Sequence, residues 1–140
     1  MFWHTFERMI RFLKKYFHHI FYSIAWSVVI LILLALPGSM LPEENTIKIP
    51  NLDKLVHIGL FGGFVLLWSI YFSAKKFSQK KLLIIFFSIF IIACIYGAAM
   101  EFVQKYFIPS RDFEIGDILA DIIGAAIAYG ICNIYLSAEK

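Results

Sequence analysis

Seven strongly polar side chains lie at the ends of apolar stretches in this sequence. They are Asp53, Lys54, His57, Glu101, Gln104, Asp117 and Asp121. An ionisable group at the centre of a membrane helix costs roughly 2.5 to 3.5 kcal/mol on insertion scales, so such groups usually have a function. Imidazole and carboxylate groups can transfer protons, hold a divalent metal or bind a polar ligand. These side chains form three groups along the sequence, and all three are predicted to lie at one depth in the membrane. The pattern therefore favours a common pocket over a structural network that only fixes helix register.

The first group combines a carboxylate, an ammonium and an imidazole. Asp53 and His57 are four residues apart, a spacing that puts both side chains on one face of a helix. A neighbouring carboxylate fixes the tautomer of an imidazole, which predicts that Asp53 orients His57 as a general acid or base. A metal ligand and a simple helix cap are the alternatives for this pair. Lys54 could bind a lipid phosphate or anchor the helix at the interface.

Two further pairs have helical spacing on later apolar stretches. Glu101 and Gln104 are three residues apart, and Asp117 and Asp121 are four apart. A carboxylate at the depth of Glu101 or Asp121 needs a partner or a proton. Small residues on the same stripes would let a second helix approach, namely Cys94, Gly97, Ala98, Ala120, Gly124 and Ala128. We therefore predict that the acidic sides face protein rather than lipid.

Arg111 and Asp112 stand in the short loop between the second and third groups. A guanidinium group is the preferred partner of carboxylates and phosphates, because it can donate two parallel hydrogen bonds to them. Arg111 is therefore the expected counter-charge, and it could either hold the acidic network together or clamp an anionic headgroup. Both residues are assigned to ligand binding, together with Asp53, Lys54 and Gln104.

The hydropathy of the chain indicates the elements that position these groups. The chain has 140 residues, of which 61% are hydrophobic and 16% charged, more apolar surface than a soluble domain of this size can bury. We predict an all-α membrane protein with one domain of four transmembrane helices, residues 20–138. The spans are expected at about residues 20–41, 54–74, 82–106 and 116–138, each long enough for a ~30 Å hydrocarbon core.

Residues 1–19 have a different pattern, in which large apolar residues recur at spacings of three and four. The apolar positions are Phe2, Phe6, Met9, Leu13, Tyr16 and Ile20. This pattern predicts an amphipathic helix that lies in the membrane interface. A topology anchor is the favoured role, and a regulatory or partner-docking role is the alternative. His4, His18 and His19 are interpreted as interfacial residues rather than ligands.

Basic residues indicate the orientation of the chain. Eight of the 13 precede the first span or connect the second and third, namely Arg8, Arg11, Lys14, Lys15, Lys75, Lys76, Lys80 and Lys81. The loops on the other side have mixed charge, with Glu43, Glu44 and Lys48 in the proline-containing one and Arg111, Asp112 and Glu114 in the other. The positive-inside rule then predicts a multi-pass protein of the cell membrane with both termini in the cytoplasm. The polar groups would lie at the extracytoplasmic face.

The order and spacing of the polar residues resemble the VanZ-like membrane protein family over roughly residues 50–130. The matching pieces are Asp53-Lys54-x-x-His57 with Phe61, Glu101-x-x-Gln104, Pro109-x-Arg111 with Asp112, and Asp117 with Gly124. The family often has Asn at the position of Asp121, so the acid here adds a negative charge. The family takes its name from a protein linked to reduced susceptibility to the glycopeptide teicoplanin. The resemblance therefore implies a cell-envelope setting and does not imply a reaction.

Two functions are favoured from the sequence. The first is a pocket that binds an envelope lipid or the headgroup of a lipid-linked precursor, with Lys54 and Arg111 holding phosphate. The alternative is a membrane-embedded hydrolase or transferase that uses His57 with Glu101, Asp117 and Asp121 as acids or as holders of a divalent metal. No familiar nucleophile motif accompanies these residues.

Other functions have less support. A transporter would need more spans, which a homo-oligomer could supply, and a structural or regulatory subunit rests mainly on the amphipathic N-terminus. Nucleic acid is not an expected partner, because topology explains the short basic clusters. Cys94 and Cys132 lie in apolar stretches and are expected to be inert thiols. The sequence identifies no cofactor, and no residue is assigned as a metal ligand.

Overall fold

A computed structural model describes residues 2–40 and 51–136, which form five α-helices and no β-strand. The helices are α1 (Phe2–Phe17), α2 (Ile20–Leu34), α3 (Leu52–Ser73), α4 (Gln79–Phe107) and α5 (Ile115–Tyr135). One turn of 3-10 helix, Gly38–Met40, follows α2. The predicted all-α membrane fold with an N-terminal helix is confirmed.

Three of these helices are long and apolar enough to cross a membrane. They are α3, α4 and α5, with 22, 29 and 21 residues. The 15 residues of α2 would cover only about 22 Å at ~1.5 Å per residue. It follows α1 after a bend of 95°, and the bent pair counts as a fourth candidate span. The chain is thus a multi-pass membrane protein with three to four candidate spans.

The first apolar helix ends earlier than the sequence predicts. α2 stops at Leu34 rather than near residue 41. Pro37 explains this early end, because it lacks an amide hydrogen and disfavours helical backbone in the residue before it. The rest of the predicted proline-rich loop, residues 41–50, and the predicted end of the fourth span, residues 137–138, lie outside the described residues.

The amphipathic N-terminal helix is present, although its predicted place in the membrane interface stays a prediction. Ile10 is buried, and Leu13 and Phe17 pack against the core. The opposite side of α1 is exposed and carries Arg8 and Arg11. α1 ends at Phe17, just before the bend at residues 18–19.

The closest helix packing joins α3 and α5, and glycines make it close. A β-carbon on Gly124 would collide with the backbone carbonyl of Ile58, and one on Gly62 would lie 3.2 Å from the carbonyl oxygen of Gly124. Ala120 and Ala128 on the same side of α5 are buried. The predicted line of small residues is confirmed, because these residues let the two backbones approach.

Polar side chains attach α2 to its neighbours. The indole of Trp26 donates to the carbonyl of Leu60 at 2.9 Å, and the hydroxyl of Tyr96 donates to the carbonyl of Ser27 at 2.9 Å. Gly63 leaves room for the indole, because an added β-carbon would lie 2.7 Å from its nitrogen. α2 is therefore positioned against α3 and α4 by directed hydrogen bonds as well as by apolar contact.

Alternation of helix direction gathers the polar groups. α3 and α5 begin, and α4 ends, at the same end of the bundle. Large apolar side chains on the outer surfaces remain exposed, as Phe21, Phe87, Ile95, Phe102 and Ile127 do. Such side chains suit contact with lipid tails, whereas the polar groups turn inward.

Candidate functional site

Four ionisable side chains from three helices meet at one end of the bundle. His57 comes from α3, Glu101 from α4, and Asp117 and Asp121 from α5, and all four are buried. One ligand-type atom from each of His57, Glu101 and Asp117 lies within 4.8 Å of the others. The structure thus brings together residues predicted from the sequence to lie at one depth in the membrane. Their catalytic roles stay predictions.

The imidazole of His57 is oriented by a different carboxylate from the one expected. Its Nδ1 lies 2.8 Å from Asp121 Oδ1, and its Nε2 lies 3.7 Å from Asp117 Oδ2. An ionised carboxylate only accepts hydrogen bonds, so with Asp121 ionised the Nδ1 of His57 is the donor. The predicted orienting residue, Asp53, is exposed and bonds to Lys54. That prediction was wrong because the side chain of His57 points towards α5, while Asp53 lies exposed in the first turn of α3.

Lys54 is the main counter-charge of the cluster. Its Nζ lies 3.0 Å from Asp53 Oδ2, 3.2 Å from Glu114 Oε2 and 3.3 Å from Asp117 Oδ1. Gly116 leaves room for the side chain of Lys54, because a β-carbon added at Gly116 would lie 2.8 Å from Lys54 Cε. Three carboxylates therefore share one ammonium, and its donors are used within the protein.

Arg111 was expected to hold the acidic network, but it forms no ion pair with the residues that the structure describes. Its Nε is buried and has no hydrogen-bond partner among them. The expected role of Arg111 as counter-charge of the acidic network was wrong. Lys54, at the start of α3, is the residue that pairs with the carboxylates. The other role left open by the sequence, contact with an anionic ligand, stays a prediction.

Glu101 is fully buried and anchors the loop before α5. Its Oε2 accepts the backbone N–H of Glu114 at 2.9 Å, whereas its Oε1 has no hydrogen-bond partner within the described ranges. Sequence reasoning assigned Glu114 only to a loop of mixed charge, yet it bonds to both Glu101 and Lys54. Its position three residues before Asp117 was the available signal, since that spacing is close in a helical turn.

Asp121 occupies a gap that a glycine provides. A β-carbon on Gly97 of α4 would collide with Asp121 Oδ2 and lie 3.0 Å from its Cβ and Cγ. The side chain of Asp121 is 1% exposed, and Oδ2 has no hydrogen-bond partner in the described part of the chain. The small stripe predicted on α4 therefore accommodates a buried acid.

A polar cavity of about 210 Å³ adjoins the buried cluster. Its lining residues are Gly38, Gln104, Ser110, Arg111, Asp112, Glu114 and Asp117. Two segments form its rim, because the amide of Gly38 donates to the carbonyl of Pro109 at 3.1 Å. Asp117 belongs both to the cavity wall and to the buried cluster, so a ligand in the cavity would contact the cluster through this residue.

Gln104 has a structural partner at the edge of the cavity. Its side-chain amide donates to the carbonyl of Leu34 at 3.0 Å, which fixes the end of α2 against α4. Asp112 also lines the cavity and is exposed. Of the five residues assigned to ligand binding, Gln104, Arg111 and Asp112 reach the cavity wall, while Asp53 and Lys54 pair with each other beside it. Their binding roles stay predictions.

Comparisons with known proteins bear on the family of the chain. The model of the family described as VanZ/LLP1 matches residues 3–136. Comparison with curated proteins gave no match, and comparison with solved structures gave none. The resemblance drawn from the motifs is confirmed, and the match extends it to the N-terminal helices.

Proposed function

Because the chain belongs to the VanZ/LLP1 family, we propose that it is a cell-envelope protein whose polar cavity binds the headgroup of an envelope lipid or lipid-linked precursor. One observation carries this proposal. Arg111 lines the cavity and keeps a buried Nε that has no partner among the described residues. A buried donor without an acceptor costs about 1 to 3 kcal/mol, and an anionic ligand would remove that cost.

The neighbours of Arg111 limit the headgroups that fit. Lys54 is shared by three carboxylates, so phosphate contact falls to Arg111 rather than to both cations. The wall also carries Asp112, Glu114 and Asp117, which would repel a group with several negative charges. We therefore favour a headgroup that combines one phosphate with amine or hydroxyl donors for these carboxylates.

The proposal includes an orientation. The loop between α3 and α4 carries Lys75 and Lys76 and lies at the opposite end of the helices from the cavity. By the positive-inside rule, this arrangement supports an orientation with both termini in the cytoplasm and the cavity at the extracytoplasmic face of the cell membrane. A role in susceptibility to teicoplanin belongs to this proposal as its cellular context.

Binding can be tested with purified protein in nanodiscs and with lipids that differ only in the headgroup. We expect saturable binding of a phosphate-amine or phosphate-sugar lipid, weakened about 10-fold or more in Arg111→Ala, because a charged hydrogen bond contributes about 1.5 to 3 kcal/mol. Arg111→Lys should bind with intermediate affinity, since lysine keeps the positive charge but cannot donate two parallel hydrogen bonds from a planar group. The matched control is Lys105→Ala. Lys105 is an exposed cation in the last turn of α4, at the end of the bundle where the loop with Arg111 begins. Equal weakening in the control would show general charge attraction and contradict the proposal.

A second function has its own supporting observation, the buried hydrogen bond between His57 and Asp121 at 2.8 Å. A carboxylate that orients an imidazole is the arrangement of a general base, with Nε2 left to accept a proton. A hydrolase or transferase acting on a lipid-linked substrate would lose turnover in His57→Gln and retain binding. Product formation, followed by mass spectrometry of the lipid, distinguishes this function. Binding without product in the wild type would leave only the binding function.

A further inference from the structure

The buried part of the cluster holds more carboxylates than cations. Glu101, Asp117 and Asp121 are all less than 10% exposed. Within residues 2–40 and 51–136, the cationic side chains paired with them are His57 and Lys54, and Lys54 is shared with two exposed carboxylates. A buried carboxylate without a counter-charge is strongly destabilising. The cluster as described therefore needs further positive charge.

Two oxygen atoms show where that charge is missing. Glu101 Oε1 and Asp121 Oδ2 are buried and have no hydrogen-bond partner within residues 2–40 and 51–136. Buried polar atoms are nearly always paired, so each orphan needs a physical explanation such as an ion. Glu101 is the more informative of the two, because it offers an oxygen within 4.8 Å of ligand atoms of His57 and Asp117.

We propose that His57, Glu101 and Asp117 bind one divalent transition-metal cation of the Zn²⁺ or Mn²⁺ type. A cation about 2.0 to 2.2 Å from each ligand requires ligand atoms about 3 to 3.5 Å apart. His57 Nε2 and Asp117 Oδ2 are already 3.7 Å apart, and the whole set lies within 4.8 Å. One imidazole with two carboxylates is a mixed ligand set that suits these metals better than Ca²⁺ or Mg²⁺, which prefer oxygen alone.

The surrounding hydrogen bonds suit a metal site. Asp121 accepts from Nδ1 of His57, which leaves Nε2 of the ring as the ligand atom. This is the carboxylate–histidine–metal arrangement found around many metal centres. Lys54 neutralises Asp117 through Oδ1 and leaves Oδ2 turned towards His57. Asp121 is therefore a positioning residue rather than a ligand.

The metal site goes beyond the lipid-binding proposal and does not depend on it. Arg111, which carries the lipid proposal, is not among the three ligands. Metal binding can consequently be measured without any envelope lipid. If Arg111→Ala weakens lipid binding but the protein takes up no metal, only the metal proposal fails.

Metal content is the direct test. Full-length protein in nanodiscs is stripped with a chelator, dialysed against Zn²⁺ or Mn²⁺, and analysed by elemental mass spectrometry. We expect one metal ion per chain, and affinity lowered about 10- to 100-fold or more in His57→Gln, in Glu101→Gln and in the positioning variant Asp121→Asn. The matched control is Glu7→Gln, which makes the same change as Glu101→Gln at an acid of α1 outside both acidic groups and should keep affinity within about twofold. Circular dichroism of the metal-free variants checks that they remain folded.

A second measurement does not rely on variants of the ligands. Mn²⁺ bound to the protein should show nitrogen modulation in pulsed electron paramagnetic resonance. The chain has four histidines, and a variant with His4, His18 and His19 replaced by Gln keeps only His57. Retention of the modulation in that variant supports the site. The proposal is overturned by the absence of stoichiometric metal, which would indicate protons on Glu101 and Asp121 instead, by loss of the modulation, or by equal weakening in Glu7→Gln.

Discussion

Gly124→Ala tests whether the close approach of α3 and α5 holds the polar cluster in place. The added β-carbon would collide with the carbonyl oxygen of Ile58 and lie 2.8 Å from its carbonyl carbon and Cα. Carbon atoms in contact are normally about 3.5 to 4.0 Å apart, so the two backbones must separate by about 1 Å. Overpacking of this kind costs about 1 to 3 kcal/mol. We expect the upper part of that range, because the obstacle is backbone and cannot rotate away.

The separation should also disturb the site, since His57 directly precedes Ile58. A shift of about 1 Å would lengthen the 2.8 Å bond between His57 and Asp121 beyond the usual limit for a hydrogen bond. Gly124→Ala should therefore lower both stability and metal affinity. The free energy of unfolding can be measured in mixed micelles by titration with sodium dodecyl sulfate, followed by circular dichroism.

Gly130→Ala is the matched control on the same helix. No atom lies within 4 Å of a β-carbon at Gly130, so this alanine meets open space. Replacement of a helical glycine by alanine is favourable by roughly 0.5 to 1 kcal/mol, so stability should stay the same or rise. If Gly124→Ala were as stable as Gly130→Ala and bound metal equally well, the argument from close helix packing would be refuted.

Three further substitutions test single contacts. Tyr96→Phe removes a donor to a carbonyl of α2 and should lower unfolding free energy by about 0.5 to 1.5 kcal/mol, measured by the same titration; no change would mean that this bond does not hold α2. Gln104→Met leaves the carbonyl of Leu34 without its donor and should lower the unfolding free energy by a similar amount. It should also increase proteolysis of the segment after α2, and unchanged proteolysis would contradict the anchoring role of Gln104. Lys54→Met leaves Asp117 without its ammonium partner, so the apparent melting temperature should fall and then recover on addition of Zn²⁺ or Mn²⁺; a fall without recovery would count against the metal site.

Much of the architecture could be predicted from the sequence because it depends on local patterns. Apolar length predicted α3, α4 and α5 to within three residues at most boundaries, and the proline at position 37 explains the main difference, in α2. The grouping of His57, Glu101 and Asp117 was predictable for a similar reason. Each lies near the same end of its helix, and alternating spans bring those ends together.

The pairing of charges could not be predicted from spacing within one helix. The separation of four residues favoured Asp53 as the partner of His57, yet the partner is Asp121 on another helix. Which side chains meet across α3 and α5 depends on how closely and in what register these helices pack. That register is set by contacts such as Gly124 against the backbone of Ile58, which a single sequence does not reveal.

The backbone bond between Gly38 and Pro109 joins the end of α2 to the loop before α5. Gly38 suits this joint because any β-carbon there would collide with the carbonyl oxygen of Ser110. Arg111 lies two residues beyond Pro109, so its position is tied to α2 through main-chain atoms. α2 is also the shortest of the apolar helices, and a short helix is sensitive to bilayer thickness. A change in membrane thickness that shifted α2 would therefore be passed through main-chain atoms to the guanidinium at the cavity.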